Sequence, residues 1–307
     1  MAKNNAKKNK YNTSQLLNFA QDSYFERTSR PIYALLFLLP FIVFYEFGTL
    51  LINTDVLNQS QVRVVAFVWL QNFLEHLGFA SKLAWATPAF TVVIILIALQ
   101  LSSRKKWYFI PADLVPLTLE CILLAVPLIV LSLFLNSSIS QQENVCQFHK
   151  DTISIQTKTF SVCSNVIESN SSETAQYSPE KTKSKSVIAN LVTSIGAGIY
   201  EELLFRLILI CLLMIVFQNL LQLGHKKSII LSIIISSAMF SAHHHIVFLN
   251  GQFSQASPFR WPEFAFRTIA GIYFAILFAL RGFGITAGTH AFYDIIAVFI
   301  NVSFFAS

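Results

Sequence analysis

The stretch Ile199-Tyr200-Glu201-Glu202-Leu203-Leu204-Phe205-Arg206 sets two adjacent carboxylates and a guanidinium between the apolar runs Val187 to Ser194 and Leu207 to Phe217. In lipid each such charge costs on the order of 2.5 to 3.5 kcal/mol at the centre of a helix, so an ionisable residue at that depth needs a partner or a function. Helix geometry sorts the three. At about 100° per residue, Glu202 and Arg206 share a face and form a charge-assisted pair, whereas Glu201 and Arg206 diverge. Glu202 and Arg206 are therefore expected to neutralise each other as a structural pair. Glu201 is the carboxylate left without a basic neighbour in its own helix.

The composition extends that reading to the whole chain. Of 307 residues, 54% are hydrophobic, 12% are charged and 29 are phenylalanine, against roughly 25% charged in an ordinary soluble domain. The expected fold is all-α, a polytopic transmembrane helical bundle whose first partner is the lipid bilayer. A net charge of +6 does not point to nucleic acid, because the basic residues gather at the ends of apolar runs, where they set topology. No nucleic-acid motif is present, and oligomeric state is not readable. Cys121 and Cys211 sit in apolar segments as small core residues. Cys146 and Cys163 share a polar stretch and could pair in an oxidising compartment.

Residues 1–30 form a basic N-terminal segment without the short apolar core and cleavage site of a signal peptide, so the first span reads as a retained anchor with the N-terminus in the cytoplasm. Residues 31–135 hold the N-terminal transmembrane helices: Tyr33 to Ile52 with Glu46 inside it, Leu83 to Leu101, and Leu114 to Leu135 with Glu120 near its start. Between the first two, Val64 to Ala80 is short and carries Gln71, Asn72, Glu75 and His76, which reads as an interfacial or half-buried helix. Residues 136–186 are rich in Ser, Asn, Gln and Thr and read as a polar extracytoplasmic loop. Residues 187–307 carry Val187 to Leu223, Ile229 to Leu249, Phe264 to Leu280 and Ile285 to Phe305. That gives about seven spans, or eight if Val64 to Ala80 crosses. The seven-span count keeps Arg104-Lys105-Lys106, His225-Lys226-Lys227 and Arg281 on the cytoplasmic side. An integral protein of a bacterial cytoplasmic (inner) membrane is expected.

Two later apolar segments repeat the four-residue rhythm. Phe240 and His244 share a face in Met239-Phe240-Ser241-Ala242-His243-His244-His245, and His290 and Asp294 share one in Gly288-Thr289-His290-Ala291-Phe292-Tyr293-Asp294. Glu201, His244, His290 and Asp294 thus come from three core helices and converge if those helices adjoin. A carboxylate in a water-poor site can take a proton from a single water with an imidazole orienting it, and the remaining pair can stabilise an oxyanion or bind a metal. His243 and His245 flank His244 at about 100° to either side on an ideal helix, so the three cannot all face one site. Gly196, Gly198, Gly284 and Gly288 read as close-packing positions.

Glu-Glu-x-x-x-Arg, Phe-x-x-x-His and His-x-x-x-Asp, in that order on successive hydrophobic segments, resemble the motifs of the CPBP family of intramembrane proteases, which includes the CAAX prenyl endopeptidases of the Ras-converting type. The resemblance covers about the last third of the chain. It implies an intramembrane endopeptidase, a membrane-embedded hydrolase acting on a membrane-associated protein or peptide, in which Glu201 and His244 activate water and Glu202, Arg206 and Phe240 support the site. It also implies that His290 and Asp294 serve oxyanion stabilisation or metal binding. The family pattern has Asn or Asp at the last position. An ionised Asp294 cannot donate a hydrogen bond to an oxyanion, so it is protonated, orients His290 or helps hold a metal. A divalent metal such as Zn²⁺ on Glu201, His244, His290 and Asp294 is one reading, and a glutamate-driven attack without metal is the other. Two further functions compete: a proton or ion-relay transporter built on the buried Glu, His and Asp groups, and a catalytically silent scaffold or immunity protein.

Overall fold

The structure, a computed structural model, describes residues 19–20, 22–54, 65–76, 87–150, 179–249, 252–255 and 259–304. The helices are α1 (Tyr24–Thr28), α2 (Pro31–Thr54), α3 (Val65–His76), α4 (Thr87–Ser103), α5 (Leu114–Lys150), α6 (Pro179–Glu202), α7 (Ile210–Ile215), α8 (His225–His243), α9 (Trp261–Arg281) and α10 (Phe283–Phe304). Two π-helical stretches, Leu203–Leu209 and Val216–Leu220, flank α7 and carry the α6 rod onward without a break. Such widened turns free backbone groups and are often found at functional sites.

Among the described residues, five helical segments are long and apolar enough to cross a membrane: Pro31–Leu51, Pro111–Leu135, Val187–Leu220, Trp261–Arg281 and Phe283–Ser303. The apolar helix Pro88–Ser103 is shorter, and α8 opens on His225, Lys226 and Lys227. Five of the seven segments expected from the sequence thus qualify as spans by length and hydropathy. The outer surface is what lipid would solvate, with Leu51, Leu123 and Leu220 exposed by 70%, 69% and 75%. In water, patches of this kind mark an interface.

The half-buried reading of the early short helix agrees with α3. Its 12 residues reach about 18 Å, too short for a hydrocarbon core of about 30 Å. Ala66, Phe67, Leu70 and Leu74 are buried while Phe73 is exposed.

Three sequence expectations change. The apolar run Ile229 to Leu249 is not one helix: α8 ends at His243, and Ile246–Leu249 pairs antiparallel with Gln252–Gln255 as a small hairpin, Val247 opposite Ser254. Helix also enters the stretch read as a polar loop from both sides, since α5 runs to Lys150 and α6 begins at Pro179. Cys211 is exposed, unlike the buried Cys121. The Cys146–Cys163 pairing lies outside the described residues.

Helix packing here relies on small residues, because lipid removes the hydrophobic drive between helices. α10 packs most extensively on α6 and also meets α5, α2 and α9, while α8 pairs with α9. A Cβ on Gly198 would lie 2.5 Å from the Ala291 nitrogen, and one on Gly288 would lie 2.6 Å from the Phe37 ring. The first of these contacts draws the Glu201 turn of α6 against the His290 turn of α10. Between α9 and α10 the chain reverses through Gly282, whose φ of 83° suits a residue without Cβ.

Candidate active site

Glu202 and Arg206 are fully buried, and Arg206 Nε lies 3.1 Å from Glu202 Oε2, as the four-residue spacing requires. Arg206 is further held by Phe240, whose ring centre is 4.2 Å from its Cζ, a cation–π contact. Its Nη2 donates to the Gly271 carbonyl at 3.3 Å. The π-helical turn itself is fastened to α8 by the Ser236 hydroxyl, which donates to the Phe205 carbonyl at 2.6 Å.

The other oxygen of Glu202 does something its local sequence does not announce: Oε1 lies 2.7 Å from His290 Nδ1. Arg206, Glu202 and His290 therefore form one chain of contacts from α6 to α10. Phe274 of α9 stacks on the His290 ring at 4.6 Å with planes 18° apart, which fixes its tilt. His290 Nε2 then points between two carboxylates, 3.5 Å from Asp294 Oδ2 and 4.0 Å from Glu201 Oε2.

Glu201 is 6% exposed and touches two imidazoles at the same reach. Its Oε2 lies 4.0 Å from His244 Nε2 and 4.0 Å from His290 Nε2. These separations are beyond a direct hydrogen bond and match a bridging oxygen between the groups. The Phe240 carbonyl is 2.9 Å from His244 Nδ1. A carbonyl only accepts, so that contact places a hydrogen on Nδ1 and leaves Nε2 of the neutral ring as the acceptor facing Glu201.

Glu201, Glu202, His244, His290 and Asp294 are thus assembled from α6, α10 and the turn after α8, with Arg206 and Phe240 directly behind them. The structure also brings His243 beside His244 and Glu201, which an unbroken ideal helix would not do. Because α8 stops at His243 and His244 caps it, the two rings sit edge to face with centroids 4.5 Å apart. His243 also meets the edge of Trp69 from α3, at 5.4 Å. Ligand-capable atoms of Glu201, His243 and His244 lie within 4.8 Å of one another. A carboxylate with two imidazoles is a donor set that suits Zn²⁺, and His290 and Asp294 fall outside that group. His245 is buried apart from the site, with its Nε2 3.5 Å from Arg267.

Support reaches back into the N-terminal half. The Tyr200 hydroxyl donates to Glu46 Oε1 at 3.1 Å, tying the residue before Glu201 to α2, and Tyr45 and Phe67 pack their rings on Tyr200. Glu120, by contrast, belongs to the other end of the bundle, where Arg281 Nε and Nη2 donate to it at 2.6 and 2.8 Å.

Comparison with curated proteins and with solved structures gives no match. Residues 183–296 match the family described as type II CAAX prenyl endopeptidase Rce1-like. The matched segment contains all the motif residues from Glu201 to Asp294, so this part of the chain is similar to the Rce1-like CAAX prenyl endopeptidases.

Proposed function

We propose that this chain is an intramembrane endopeptidase that hydrolyses a peptide bond of a membrane-associated protein or peptide with water activated by Glu201 and His244. The observation that carries the reading is the pair of 4.0 Å gaps from one Glu201 oxygen to His244 Nε2 and His290 Nε2. Each gap admits one oxygen atom bonded to both sides.

In this reaction Glu201 takes a proton from water while His244 Nε2 orients it, and the water oxygen adds to the scissile carbonyl carbon. The carbonyl oxygen becomes an oxyanion and accepts from His290 Nε2–H. Glu202 and Asp294 provide acceptors at the two ring nitrogens, so His290 acts as a two-sided donor and Asp294 serves as its orienting partner. The proton held by Glu201 then passes to the amine as the C–N bond breaks, leaving a carboxylic acid and a free amine. Buried helices exclude competing water. A divalent ion held by Glu201, His243 and His244 would supply a Lewis acid for the same water, and the proton transfers above are those of the chain's own residues.

The test compares membranes containing the wild-type chain with membranes containing Glu201→Gln, by terminal-peptide sequencing of the membrane proteins. New termini present only with wild type are expected. A folded, membrane-inserted Glu201→Gln protein that yields the same termini would overturn the mechanism, and the absence of any Glu201-dependent terminus would favour a scaffold.

A further inference from the structure

A cavity lies at the end of the bundle marked by α1, and none of the residues lining it belongs to the Glu201 cluster. It has a volume of 730 Å³ and runs between α2, α4, α7, α8 and α9. Its floor is apolar, with Leu99, Ile210, Met214, Ile233 and Phe278 among the lining side chains. Its rim is basic, with Arg30, Lys105, His225 and Arg281, and among the described residues no acidic side chain lines it. These rim residues stand where α2, α8 and α10 begin and where α4 and α9 end. Ile233 lies eight positions along α8 from His225, about 12 Å deeper at 1.5 Å per residue. The cavity is therefore charged at the level of the helix ends and oily one to two turns further in.

Carboxylates outside the lining of this cavity pair with part of the rim. Asp22 and Glu26 reach Arg30, Glu26 reaches Lys105 at 3.7 Å, and Glu120 takes Arg281. Arg281 is fully engaged, since Phe25, Ser29 and Thr28 accept its other donors. Arg30 is not: it is 3% exposed, and its Nη1 makes no hydrogen bond, a shortfall that costs about 1–3 kcal/mol for a buried donor. Lys105 has donors beyond its single long contact with Glu26. His225 accepts at Nδ1 from Gln218 Nε2 at 3.1 Å, which puts its own hydrogen on Nε2. Arg104, Lys226 and Lys227 are exposed at the same end.

We propose that this groove binds an anionic phospholipid, its phosphate at Arg30, Lys105 and His225 and one acyl chain along the floor between α4, α7 and α8. Basic pockets between transmembrane helices select anionic headgroups in this way, and the volume lies within the range of built ligand sites. The occupant must combine acceptor oxygens with a long apolar body, and a lipid of the surrounding bilayer does both. The site is independent of the peptidase reading.

Thermal melts of the purified full chain in neutral detergent test it. Phosphatidylglycerol is added in one arm, phosphatidylcholine with the same chains in a second, and glycerol phosphate in a third. At about a hundredfold excess over Kd, phosphatidylglycerol should raise Tm by several degrees more than phosphatidylcholine, and glycerol phosphate should give no shift. Lys105→Gln with His225→Gln should remove most of the difference by weakening the rim. Met214→Trp, which fills the floor and leaves the rim intact, should remove it as well. Equal shifts from the two lipids would overturn the proposal. So would a full shift from glycerol phosphate, which would mark a free-anion site, or a full increment retained in Met214→Trp.

Discussion

Two polar clusters lie in this bundle, and they are built on opposite rules. At the α1 end Arg27 and Arg281 are closed on carboxylates. Arg27 binds Asp113 at 2.9 Å, Arg281 takes Glu120 with two donors at 2.6 and 2.8 Å, and Tyr24 and Tyr33 add hydroxyl donors to the same carboxylates at 2.8 Å. In the cluster on α6, α8 and α10 only the rear contacts come that near, Arg206 to Glu202 at 3.1 Å and Glu202 to His290 at 2.7 Å. In front of them Glu201 is held 4.0 Å from both His244 and His290. Closed pairs hold helices together, whereas groups fixed just short of contact leave room for a reacting atom. The difference separates structural charges from candidate catalytic ones without reference to their residue types.

The largest expected break in that contrast is Glu201→Gln. It removes the base and keeps the shape, so cleavage should fall by about 10²- to 10⁴-fold, the range for a lost general base, while the melting temperature stays at the wild-type value. Loss of both would place Glu201 among the closed structural pairs.

Arg206→Met and Arg281→Met come next, because each strands a buried carboxylate, at a cost of about 3–5 kcal/mol when burial is complete. Glu202 is wholly buried, whereas the Glu120 side chain keeps 18% exposure, so Arg206→Met should lower the melting temperature further. It should also abolish cleavage by freeing His290. Arg281→Met should reduce activity only in proportion to the folded fraction, and activity assays normalised to folded protein distinguish the two.

Much of the site could be read from spacing. The Glu202–Arg206 pair, the shared face of His290 and Asp294, and the isolation of Glu201 within its helix are local consequences of the helical repeat. The Glu202–His290 contact is not local, since it exists because Gly198 lets α6 approach the backbone of Ala291. The place of His243 was not legible for a different reason. The run Ile246 to Leu249 is as apolar as a helix continuation, and periodicity alone does not separate a short strand from a helix segment. Once α8 ends at His243, the 100° rule no longer governs His244. The π-helical turns at Leu203–Leu209 leave no compositional mark.

Gly198→Val probes that approach directly. With the Ala291 nitrogen 2.5 Å from the position of a Cβ, α6 and α10 must separate, at an overpacking cost of about 1–3 kcal/mol. Widening the Glu201–His290 gap should reduce cleavage by more than the stability loss explains, read as activity per folded molecule. The matching change Gly284→Val, set against Ala34, should destabilise without that extra loss.

The smallest effect belongs to the closed end and follows from Glu26. Burial pushes its carboxyl up, but the Arg30 hydrogen bond and the charges of Arg30 and Lys105 outweigh this and hold it below its ordinary value of 4.5. A carboxylate depressed in the folded state binds its proton more tightly when unfolded. The stability it contributes is therefore complete above the ordinary value and is lost as pH falls through the lower folded one. Melting curves between pH 6 and about pH 3 should show stability declining on the acid side, and Glu26→Gln should flatten that decline while lowering the plateau near neutrality. An unchanged slope would mean that the Asp22 carboxyl, itself lowered by Lys106 and Arg30, or the Asp113 pair, accounts for the acid sensitivity of this end.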